Sequence, residues 1–179
     1  MIAVSPITPH RAYIGLGSNL DNPRARVIQA LAALNRLPLT SLAKASQLYL
    51  SRPVGPQDQP DFINAVAALH TRLSPLALLD QLQALEQQHR RRRARHWGPR
   101  TLDLDLLLFD TQQLALPRLC VPHPHIQQRG FVLLPLQEIA PGLLIGQRPL
   151  HAWLAALPPE AIPQALPLDT HLDSGGEFR

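Results

Sequence analysis

The stretch that most constrains the fold is RTLDLDLLLFD, residues 100–110, in which leucine alternates with aspartate before a purely apolar run. The alternation predicts a β-strand whose even-numbered leucines, from Leu102 to Leu108, share one face. Asp103 and Asp105 share the other face, which apolar side chains continue toward the end of the strand. At a rise of about 3.3 Å per residue, the two carboxylates lie about 6.6 Å apart on an otherwise buried surface.

Two like charges on such a surface are costly to keep ionised together unless a cation neutralises them. A hard divalent cation with oxygen ligands is a common solution, although an Asp-x-Asp pair on an edge strand is also compatible with a solvated face. The turn predicted at Gly98-Pro99 brings the preceding arginines next to this strand. Arginines beside a carboxylate-held Mg²⁺ are typical of phosphoryl transfer, because the transition state spreads negative charge over several oxygens. The aspartates and their surroundings therefore favour a phosphate-handling metal site.

The positive charge of the chain is concentrated in one segment. Of its 17 lysines and arginines, six lie between His89 and Arg100, and the rest of the chain is slightly acidic. A local field indicates a polyanionic ligand at one place rather than a surface coated with nucleic acid. The run RRRR by itself is also compatible with a solvated helix end or a nucleic-acid patch.

Periodicity and turn signals give the element order β-α-β-β-α-β, which predicts an α+β fold with a ferredoxin-like antiparallel sheet covered by two helices. One domain is expected over residues 1–157, and the proline-rich tail 158–179 is expected to be poorly ordered. The predicted elements are a strand at 11–18, a helix from Pro23 capped by Asn22, strands at 41–51 and 62–73, a helix opened by Ser74 and Pro75, the strand at 101–109, an edge hairpin over 112–119, and short helices within 131–140 and 151–157.

Targeting and redox signals are weak. The sequence has no uninterrupted apolar run of about eighteen residues and no charged start followed by a long apolar core, so a cytoplasmic location is expected. The single cysteine, Cys120, cannot form an internal disulfide and is expected to be a small core residue.

Three further segments hold residues suited to ligand binding. GLGSN, residues 15–19, predicts either a strand end that needs positive φ or a phosphate contact. The proline-rich loop 52–61 leads into a strand on which Phe62 and Asn64 share a face, where they could stack on and hydrogen-bond a planar heterocycle or form an ordinary core pair. Beyond a second proline-stiffened loop, His123 is equally compatible with a phosphate donor and a capping group.

Together these segments resemble the 6-hydroxymethyl-7,8-dihydropterin pyrophosphokinases of folate biosynthesis. The matching stretches are YIGLGSNL, GPQDQPDFINAVAAL, WGPRTLDLDLLLF and VPHPHIQQRGFVLLPLQEIAP, which run in family order from about Tyr13 to Pro141. The resemblance implies transfer of the intact β,γ-pyrophosphoryl unit of ATP to the hydroxymethyl oxygen of the pterin, with release of AMP. ATP and the hydroxymethyldihydropterin are then the partners, without nucleic acid or membrane, and a monomer is expected.

The resemblance also implies a role for individual residues. In the family, the two aspartates that match Asp103 and Asp105 hold two Mg²⁺ ions that bridge the ATP phosphates. The positions that match ATP-contacting residues are Glu86, Arg91, Arg93, Arg100, His123 and Arg129, of which Arg91 and Arg100 join the two aspartates in catalysis. The positions that match the pterin site are Ser51, Arg52, Val54, Phe62, Asn64, Trp97 and Phe131. In that site two aromatic rings sandwich the heterocycle and Asn64 reads its polar edge.

The sequence departs from the family pattern at a few of these positions. The run of arginines leaves Arg90 and Arg92 as alternatives to Arg91 and Arg93. Phe62 stands where tyrosine is frequent, and Ser51-Arg52 stands where threonine followed by proline or another residue is common. An RNA-binding ferredoxin-like module is the alternative class, but the strands YIGLG and FINAV lack the exposed aromatics that such modules use. A paralogue that binds without catalysing is a further alternative, which the presence of both aspartates disfavours.

Overall fold

A computed structural model describes residues 8–91 and 102–166, with Arg91 described by its backbone alone. The strands and helices of these ranges are β1 (His10–Ser18), α1 (Pro23–Leu34), β2 (Thr40–Ala45), β3 (Tyr49–Ser51), β4 (Phe62–Thr71), α2 (Pro75–Arg91), β5 (Asp103–Phe109), β6 (Leu114–Ala115), β7 (Cys120–Val121), α3 (Gly130–Ile139), β8 (Leu144–Ile145), β9 (Arg148–Pro149), α4 (Leu150–Ala155) and β10 (Gln164–Ala165). Two 3-10 turns, Ile126–Gln128 and Pro159–Ala161, complete the set. None of the helices in these two ranges is long and apolar enough to cross a membrane.

The centre of the molecule is a six-stranded antiparallel sheet in the order β10-β3-β4-β1-β5, with β2 also paired to β4. Strand β4 has ten residues and accommodates β3 and β2 one after the other along the same edge. The chain therefore has an α+β fold with an antiparallel sheet, and its order of elements up to β5 differs from the predicted one by one extra strand between α1 and α2.

The strand predicted at 41–51 is two strands, separated at Ser46–Leu48. The break lies at Ser46, whose two hydrogen bonds to Val66 use one backbone group and one side-chain group. Its backbone N–H donates to the Val66 carbonyl oxygen at 2.9 Å, and its Oγ accepts the Val66 N–H at 2.9 Å. Because a side-chain oxygen occupies the place of a carbonyl, regular pairing stops there and resumes at Tyr49.

Helices cover both faces of the sheet. One hydrophobic cluster joins the sheet to α1 and α2 through residues such as Val27, Leu34 and Leu82. A second cluster joins the opposite face to α3 and α4 through residues such as Leu133 and Leu150. The sequence predicts the first pair as the sheet's cover, and the second pair buries the other face as well, which explains why the central strands are apolar on both sides.

Strand β5 contains a bulge that changes which residues share a face. Leu106 pairs with Ile14 and Leu108 pairs with Tyr13, so Leu107 is the extra residue. Beyond the bulge the alternation is inverted: Leu108 packs in the cluster of α3, and Phe109 packs in the cluster of α1 and α2. The prediction that Leu108 shares the face of Leu102 is therefore wrong, whereas the aspartates precede the bulge and keep the predicted alternation.

Both predicted helix starts are present, but the two caps differ. Pro23 is the first residue of α1, and Asn22 precedes it in the left-handed region with φ 61° and makes no side-chain capping hydrogen bond. Ser74 caps α2, since its Oγ accepts the N–H of Ala77 at 3.2 Å. Both residues precede a proline, so the difference comes from Asn22 itself, whose left-handed backbone replaces the extended conformation of a usual N-cap.

Two expectations about the end of the chain differ from the structure. Residues 158–166 were expected in a poorly ordered tail, yet they form a 3-10 turn and the strand β10, which pairs with β3. Residues 167–179 lie outside the described ranges. Cys120 was expected in the core and is exposed, because it lies in the two-stranded hairpin of β6 and β7, where its neighbour Val121 points inward instead.

A hydrogen-bonded glutamate ties the short strand β3 to α3. The hydroxyl of Tyr49 donates to Glu138 Oε1 at 2.6 Å, and the backbone N–H of Gln47 donates to Glu138 Oε2 at 3.0 Å. Burial, together with the hydrogen bond to Glu138, raises the pKa of Tyr49 to about 12. The proton of Tyr49 therefore stays in place over the whole neutral range.

Replacing this hydroxyl tests the link. Tyr49→Phe should lower the free energy of unfolding near pH 7 by about 1 kcal/mol, the usual net value of one hydrogen bond. Because the folded pKa is raised from 10.0 to about 12, the contribution of Tyr49 is fully present below pH 10 and is lost as the pH rises toward 12. Urea unfolding of parent and variant at a series of pH values should therefore show their difference shrinking over this window. Tyr13→Phe, in the cluster that joins the sheet to α3 and α4, controls for the general effect of alkali, and a difference that stays constant with pH would contradict the linkage.

Candidate active site

The floor of the candidate site is the end of β1, where Gly15 and Gly17 carry no side chains. A cavity of about 240 Å³ opens above them, at the end of the sheet face that α3 leaves uncovered. Gly17 pairs with Asp103 on one side and with Asn64 on the other, and Gly15 pairs with Asp105. Since directly paired residues of antiparallel strands share a face, the two glycines separate the carboxylates of β5 from the amide of β4.

This role differs from the predicted one. Neither Gly15 nor Gly17 has positive φ, so the interpretation of GLGSN as a strand end in the left-handed region is wrong. A Cβ on Gly17 would lie 3.1 Å from Asn64 Oδ1, and one on Gly15 would lie 3.4 Å from the side chain of Leu107. The missing side chain of Gly17 thus allows the close approach of Asn64, whereas a Cβ on Gly15 would make only an ordinary contact and would mainly take up open space.

Asn64 is held in one orientation by Ser51. Its Nδ2 donates to Ser51 Oγ at 2.5 Å, and Asn64 is only 4% exposed. Ser51 ends β3 opposite Phe62, so the hydroxyl, the ring and the amide lie side by side on the cavity face. The bond leaves the amide oxygen and the second N–H of Asn64 available to the polar edge of a ligand.

The loop 52–61 forms one wall of the cavity and is held together by glutamine amides. Gln57 Nε2 donates to the carbonyl oxygens of Pro53 at 2.8 Å and Gly55 at 3.0 Å, and Gln59 Nε2 donates to Pro56 O at 3.2 Å. Prolines supply no N–H groups, so these side chains take over the pairing that the backbone of an ordinary turn would provide.

Asn19 joins this loop to the floor. It is 3% exposed, and its Nδ2 donates to Gln59 Oε1 at 3.0 Å and to Pro60 O at 3.1 Å. Sequence reasoning treated Asn19 only as part of a glycine-rich turn and missed this positioning role. An amide directly after a buried strand, with a proline-rich loop elsewhere in the chain, was the signal that could have indicated it.

The carboxylates of β5 face the start of α3. Asp105 Oδ2 lies 3.8 Å from the guanidinium of Arg129, and the side chains are 45% and 30% exposed respectively. The guanidinium carbon of Arg129 lies 5.7 Å from the centre of the Phe131 ring. The charged part of the site and its aromatic part therefore meet at Arg129, and a cation over a ring face also stabilises the position of Phe131.

His123 is held beside the carboxylates in a neutral form. Its backbone N–H donates to Leu107 O at 2.9 Å, and its Nδ1 accepts the N–H of His125 at 3.2 Å. Burial lowers the pKa of His123; Asp105 opposes this shift, and Arg129 and His125 add to it. With Nδ1 used as an acceptor, the single proton of neutral His123 sits on Nε2, which is then a hydrogen-bond donor for a phosphate oxygen.

Glu86 approaches the same strand from α2. Its carboxylate accepts the N–H of Leu104 at 3.4 Å. Burial raises the pKa of Glu86, and the negative charges of Asp103 and Asp105 raise it further. The hydrogen bond from Leu104 N–H and the positive charge of Arg90 lower it, but the net shift is upward. Three carboxylates around one end of β5 make this region electrostatically favourable for a cation.

The structure brings most of the predicted ligand-binding residues to one place. Those that line the cavity are Ser51, Arg52, Val54, Phe62, Asn64, Asp103, Asp105, Arg129 and Phe131. Glu86 borders a separate groove along α2, and His123 reaches the site from the loop after β7. Arg93, Trp97 and Arg100 lie outside the described residues, as does the side chain of Arg91. Lining residues that sequence reasoning did not single out include Ala65 and Val132.

The carboxylate pair fits Mg²⁺ on the chemistry of its donors. Asp103 and Asp105 offer oxygen alone, and one carboxylate oxygen of Asp103 is shielded from solvent. Within residues 8–91 and 102–166 there is no group of three or more histidine, cysteine, aspartate or glutamate side chains arranged to enclose a metal. Mg²⁺ suits such an open site, because it is usually bound through one or two carboxylates and completes its octahedron with water and substrate phosphates.

Solved structures share this fold. The wild-type HPPK-DHPS of Plasmodium falciparum with pteroate aligns with a TM-score of 0.66 at 13% identity, over 85% of this chain and 43% of that one. An HPPK-DHPS in complex with substrates aligns with a TM-score of 0.62 at 14% identity, over 82% of this chain and 45% of that one. The chain thus spans less than half the length of these proteins, and at such low identity the likeness concerns the fold alone.

Comparison of the sequence with known proteins shows the family as well as the fold. The family model of 7,8-dihydro-6-hydroxymethylpterin-pyrophosphokinase matches residues 13–141. A 2-amino-4-hydroxy-6-hydroxymethyldihydropteridine pyrophosphokinase of Pseudomonas aeruginosa is 56% identical over 153 residues, which cover 85% of this chain and 94% of that protein. One of the same name from Haemophilus influenzae is 50% identical over 134 residues, which cover 75% and 84%. The chain therefore belongs to the 7,8-dihydro-6-hydroxymethylpterin-pyrophosphokinase family.

Proposed function

We propose that the cavity above Gly15 and Gly17 is the active site in which this chain transfers a pyrophosphoryl group from ATP to 6-hydroxymethyl-7,8-dihydropterin. The activity itself, a step of folate biosynthesis, follows from membership of the family. The observation that carries the assignment to this cavity is the arrangement across its floor, with two carboxylates on β5 and the oriented amide of Asn64 on β4. One side suits metal-bound phosphates and the other suits a heterocycle.

The phosphate side of the site is the group formed by Asp103, Asp105, Arg129 and His123. We assign two Mg²⁺ ions to the aspartates, in line with the family resemblance; bound Mg²⁺ neutralises charge on the phosphate oxygens. Arg129 lies 3.8 Å from Asp105 and can contact the same phosphates from the helix α3 side. Neutral His123 donates through Nε2 without adding a second buried positive charge next to Arg129. Arg91, Arg93 and Arg100 are proposed as further ATP contacts, and Glu86 as a contact from α2.

The pterin side of the site is formed by the aromatic rings and by Asn64. Phe62 lines the cavity beside Asn64, and Phe131 lies across it at the start of α3, so a flat ring system fits between them. Trp97 is proposed as a further pterin contact. Arg52 and Val54 form the rim, where Val54 is 77% exposed and gains most from being covered by a ligand.

In the proposed reaction the hydroxymethyl oxygen forms a bond to the β-phosphorus of ATP. The bond from that phosphorus to the oxygen shared with the α-phosphate breaks, AMP leaves and the hydroxyl proton is released. The protein mainly positions the two substrates: Asn64 and the aromatic rings fix the pterin, while Arg129 and His123 orient the phosphates. Such positioning removes most of the entropic cost of bringing two substrates together.

The fold supports this function over RNA binding. RNA-binding modules of this topology expose aromatic side chains on the central strands. Here the corresponding face of β1 and β4 is buried beneath α3 by residues such as Tyr13 and Val66. We also propose the finer classification of the fold as ferredoxin-like, which the strand order β3-β4-β1-β5 supports, and a monomeric, cytoplasmic protein.

The products of the reaction test the function directly. Purified chain incubated with ATP, Mg²⁺ and 6-hydroxymethyl-7,8-dihydropterin should form AMP one for one with the pterin consumed. Chelation of Mg²⁺ by EDTA should weaken ATP binding sharply, whereas an arginine-driven RNA binder responds mainly to monovalent salt. Equimolar ADP in place of AMP would contradict the proposal.

Charge removal tests the metal site. Asp103→Asn and Asp105→Asn should each lower turnover by about 100-fold or more, because the lost charge weakens the metals that stabilise the transferring phosphates. Without Mg·ATP the melting temperature should stay level or rise slightly, since the nearly isosteric amide relieves like-charge repulsion. With Mg·ATP the parent should be stabilised more than the variants.

Asp110→Asn provides the matched control, directly after the opposite end of the same strand. Asp110 pairs with His10 and accepts the N–H of Arg11, far from the cavity. This variant should keep near-parental turnover even if it melts earlier. Near-parental turnover in Asp103→Asn and Asp105→Asn would rule out the metal-site assignment.

Truncation at Asn64 tests the pterin side. Asn64→Ala should weaken pterin binding by roughly 1–3 kcal/mol, because polar atoms of a desolvated heterocycle are left unpaired. Ser51→Ala should have a smaller effect in the same direction, since the amide remains but loses the hydroxyl that orients it. Phe131→Ala should weaken pterin binding while sparing ATP. Isothermal titration with each ligand separates the outcomes, and equal losses for both ligands would mean that these residues are structural.

A further inference from the structure

Residues 158–166, which we call the C-terminal strap, cross the open end of the site after α4. The strap begins with the 3-10 turn Pro159–Ala161, passes the first residue of α3 and ends as β10 beside β3. Gln164 pairs with Leu50, and the N–H of Leu166 donates to Leu48 O at 2.9 Å. The strap therefore touches two elements that carry pterin-side residues.

The contact with α3 is made through a glycine. A Cβ added to Gly130 would lie 2.1 Å from the carbonyl oxygen of Ala161, a distance at which the backbone must move. Gly130 is not in the left-handed region, so its backbone conformation would accept alanine and only the close approach excludes a side chain. Its chain neighbours are Arg129, which faces Asp105, and Phe131, which lines the cavity.

Pairing with β10 turns β3 from an edge strand of the sheet into an interior strand. β3 has three residues, and without β10 its outer edge would be unpaired over Tyr49 and Leu50. Ser51 ends this strand and holds the amide of Asn64. A displacement of β3 would therefore reach Asn64 through this hydrogen bond and through the pairing of Tyr49 with Asn64.

A second cavity shows that the strap and the site share one space. This wider cavity, about 670 Å³, lies between the strap and the loop 52–61, and it is lined on one side by strap residues 159–164. Ser51, Arg52, Val54 and Phe131 line both cavities. The pterin-side residues thus lie between the two cavities, and the strap forms the far wall of the wider one.

We propose that the C-terminal strap is a positioning element for the pterin substrate, which acts through the contact of Gly130 with Ala161 and through the pairing of β10 with β3. The strap fixes Phe131 from the side of α3 and Asn64 from the side of Ser51. It does not touch the substrate itself. The inference rests on the proposed pterin site and extends it to a segment outside the family match, which ends at residue 141.

Two glycine substitutions test the contact. Gly130→Ala should raise the dissociation constant for 6-hydroxymethylpterin roughly tenfold, because small misplacements of binding groups are costly, while the constant for Mg²⁺ with α,β-methylene-ATP changes less than about threefold. Helix propensity alone favours alanine at this helical position, so a loss must come from the contact. Gly142→Ala is the matched control, since a Cβ there meets nothing within 4 Å and its backbone is also outside the left-handed region.

A second pair of variants tests the pairing with β3. Leu166→Pro removes the N–H that donates to Leu48 O, and Leu166→Ala removes the same side chain but keeps that N–H. The pterin dissociation constant, read from the fluorescence of the pterin in the presence of Mg²⁺ and α,β-methylene-ATP, should be higher for Leu166→Pro than for Leu166→Ala. Because this pair does not touch α3, it remains decisive if Gly130→Ala fails to fold, which circular dichroism would detect.

The outcomes distinguish the strap from the function as a whole. A parent chain that forms no AMP would contradict the proposed function. If the parent is active, equal pterin affinity within every pair whose members fold, Gly130→Ala with Gly142→Ala and Leu166→Pro with Leu166→Ala, would overturn the positioning role of the strap. Equal losses for pterin and for the ATP analogue would also overturn it, because they indicate general destabilisation. A selective loss for pterin in either pair supports it.

Discussion

Burial of the central sheet on both faces is the constraint on which the rest of the structure depends. α1 and α2 pack on one face, whereas α3 and α4 leave part of the other uncovered. The uncovered part is the end of β1 that carries Gly15 and Gly17. A sheet that is apolar on both sides can tolerate carboxylates and an amide only where its cover is missing, so the same packing that stabilises the domain also decides where polar chemistry can occur.

Local patterns predicted the parts of this arrangement that depend on neighbouring residues. The alternation of leucine and aspartate was enough to place Asp103 and Asp105 on one face, and proline with serine was enough to mark the start of α2. The bulge at Leu107 and the break at Ser46 were missed, because each arises from how one strand fits against another rather than from its own sequence. The hydrophobic periodicity of one strand does not show in which register a neighbouring strand pairs with it.

The site shows the same division between local and long-range information. Phe62 and Asn64 were recognised as a pair on one face, but the bond from Asn64 to Ser51 joins residues of different strands and could not be derived from spacing. The resemblance to a family identified candidate positions without explaining why each is held where it is. The part of the tail that the structure describes, residues 158–166, differs from the expectation for a related reason: a proline-rich composition lowers the tendency to form helices, yet Gln164 and Ala165 need only an unpaired neighbouring edge in order to form a strand.

The loop 52–61 has a consequence for the thermodynamics of ligand binding. Its prolines restrict the chain before any ligand arrives, and the amides of Gln57 and Gln59 close it internally while Asn19 fastens it to the end of β1. Little conformational entropy remains to be lost when a ligand fills the cavity beside it. A ligand that contacts this loop should therefore bind a preorganised surface. The heat capacity change of binding should reflect the apolar area that the ligand buries rather than the folding of a loop.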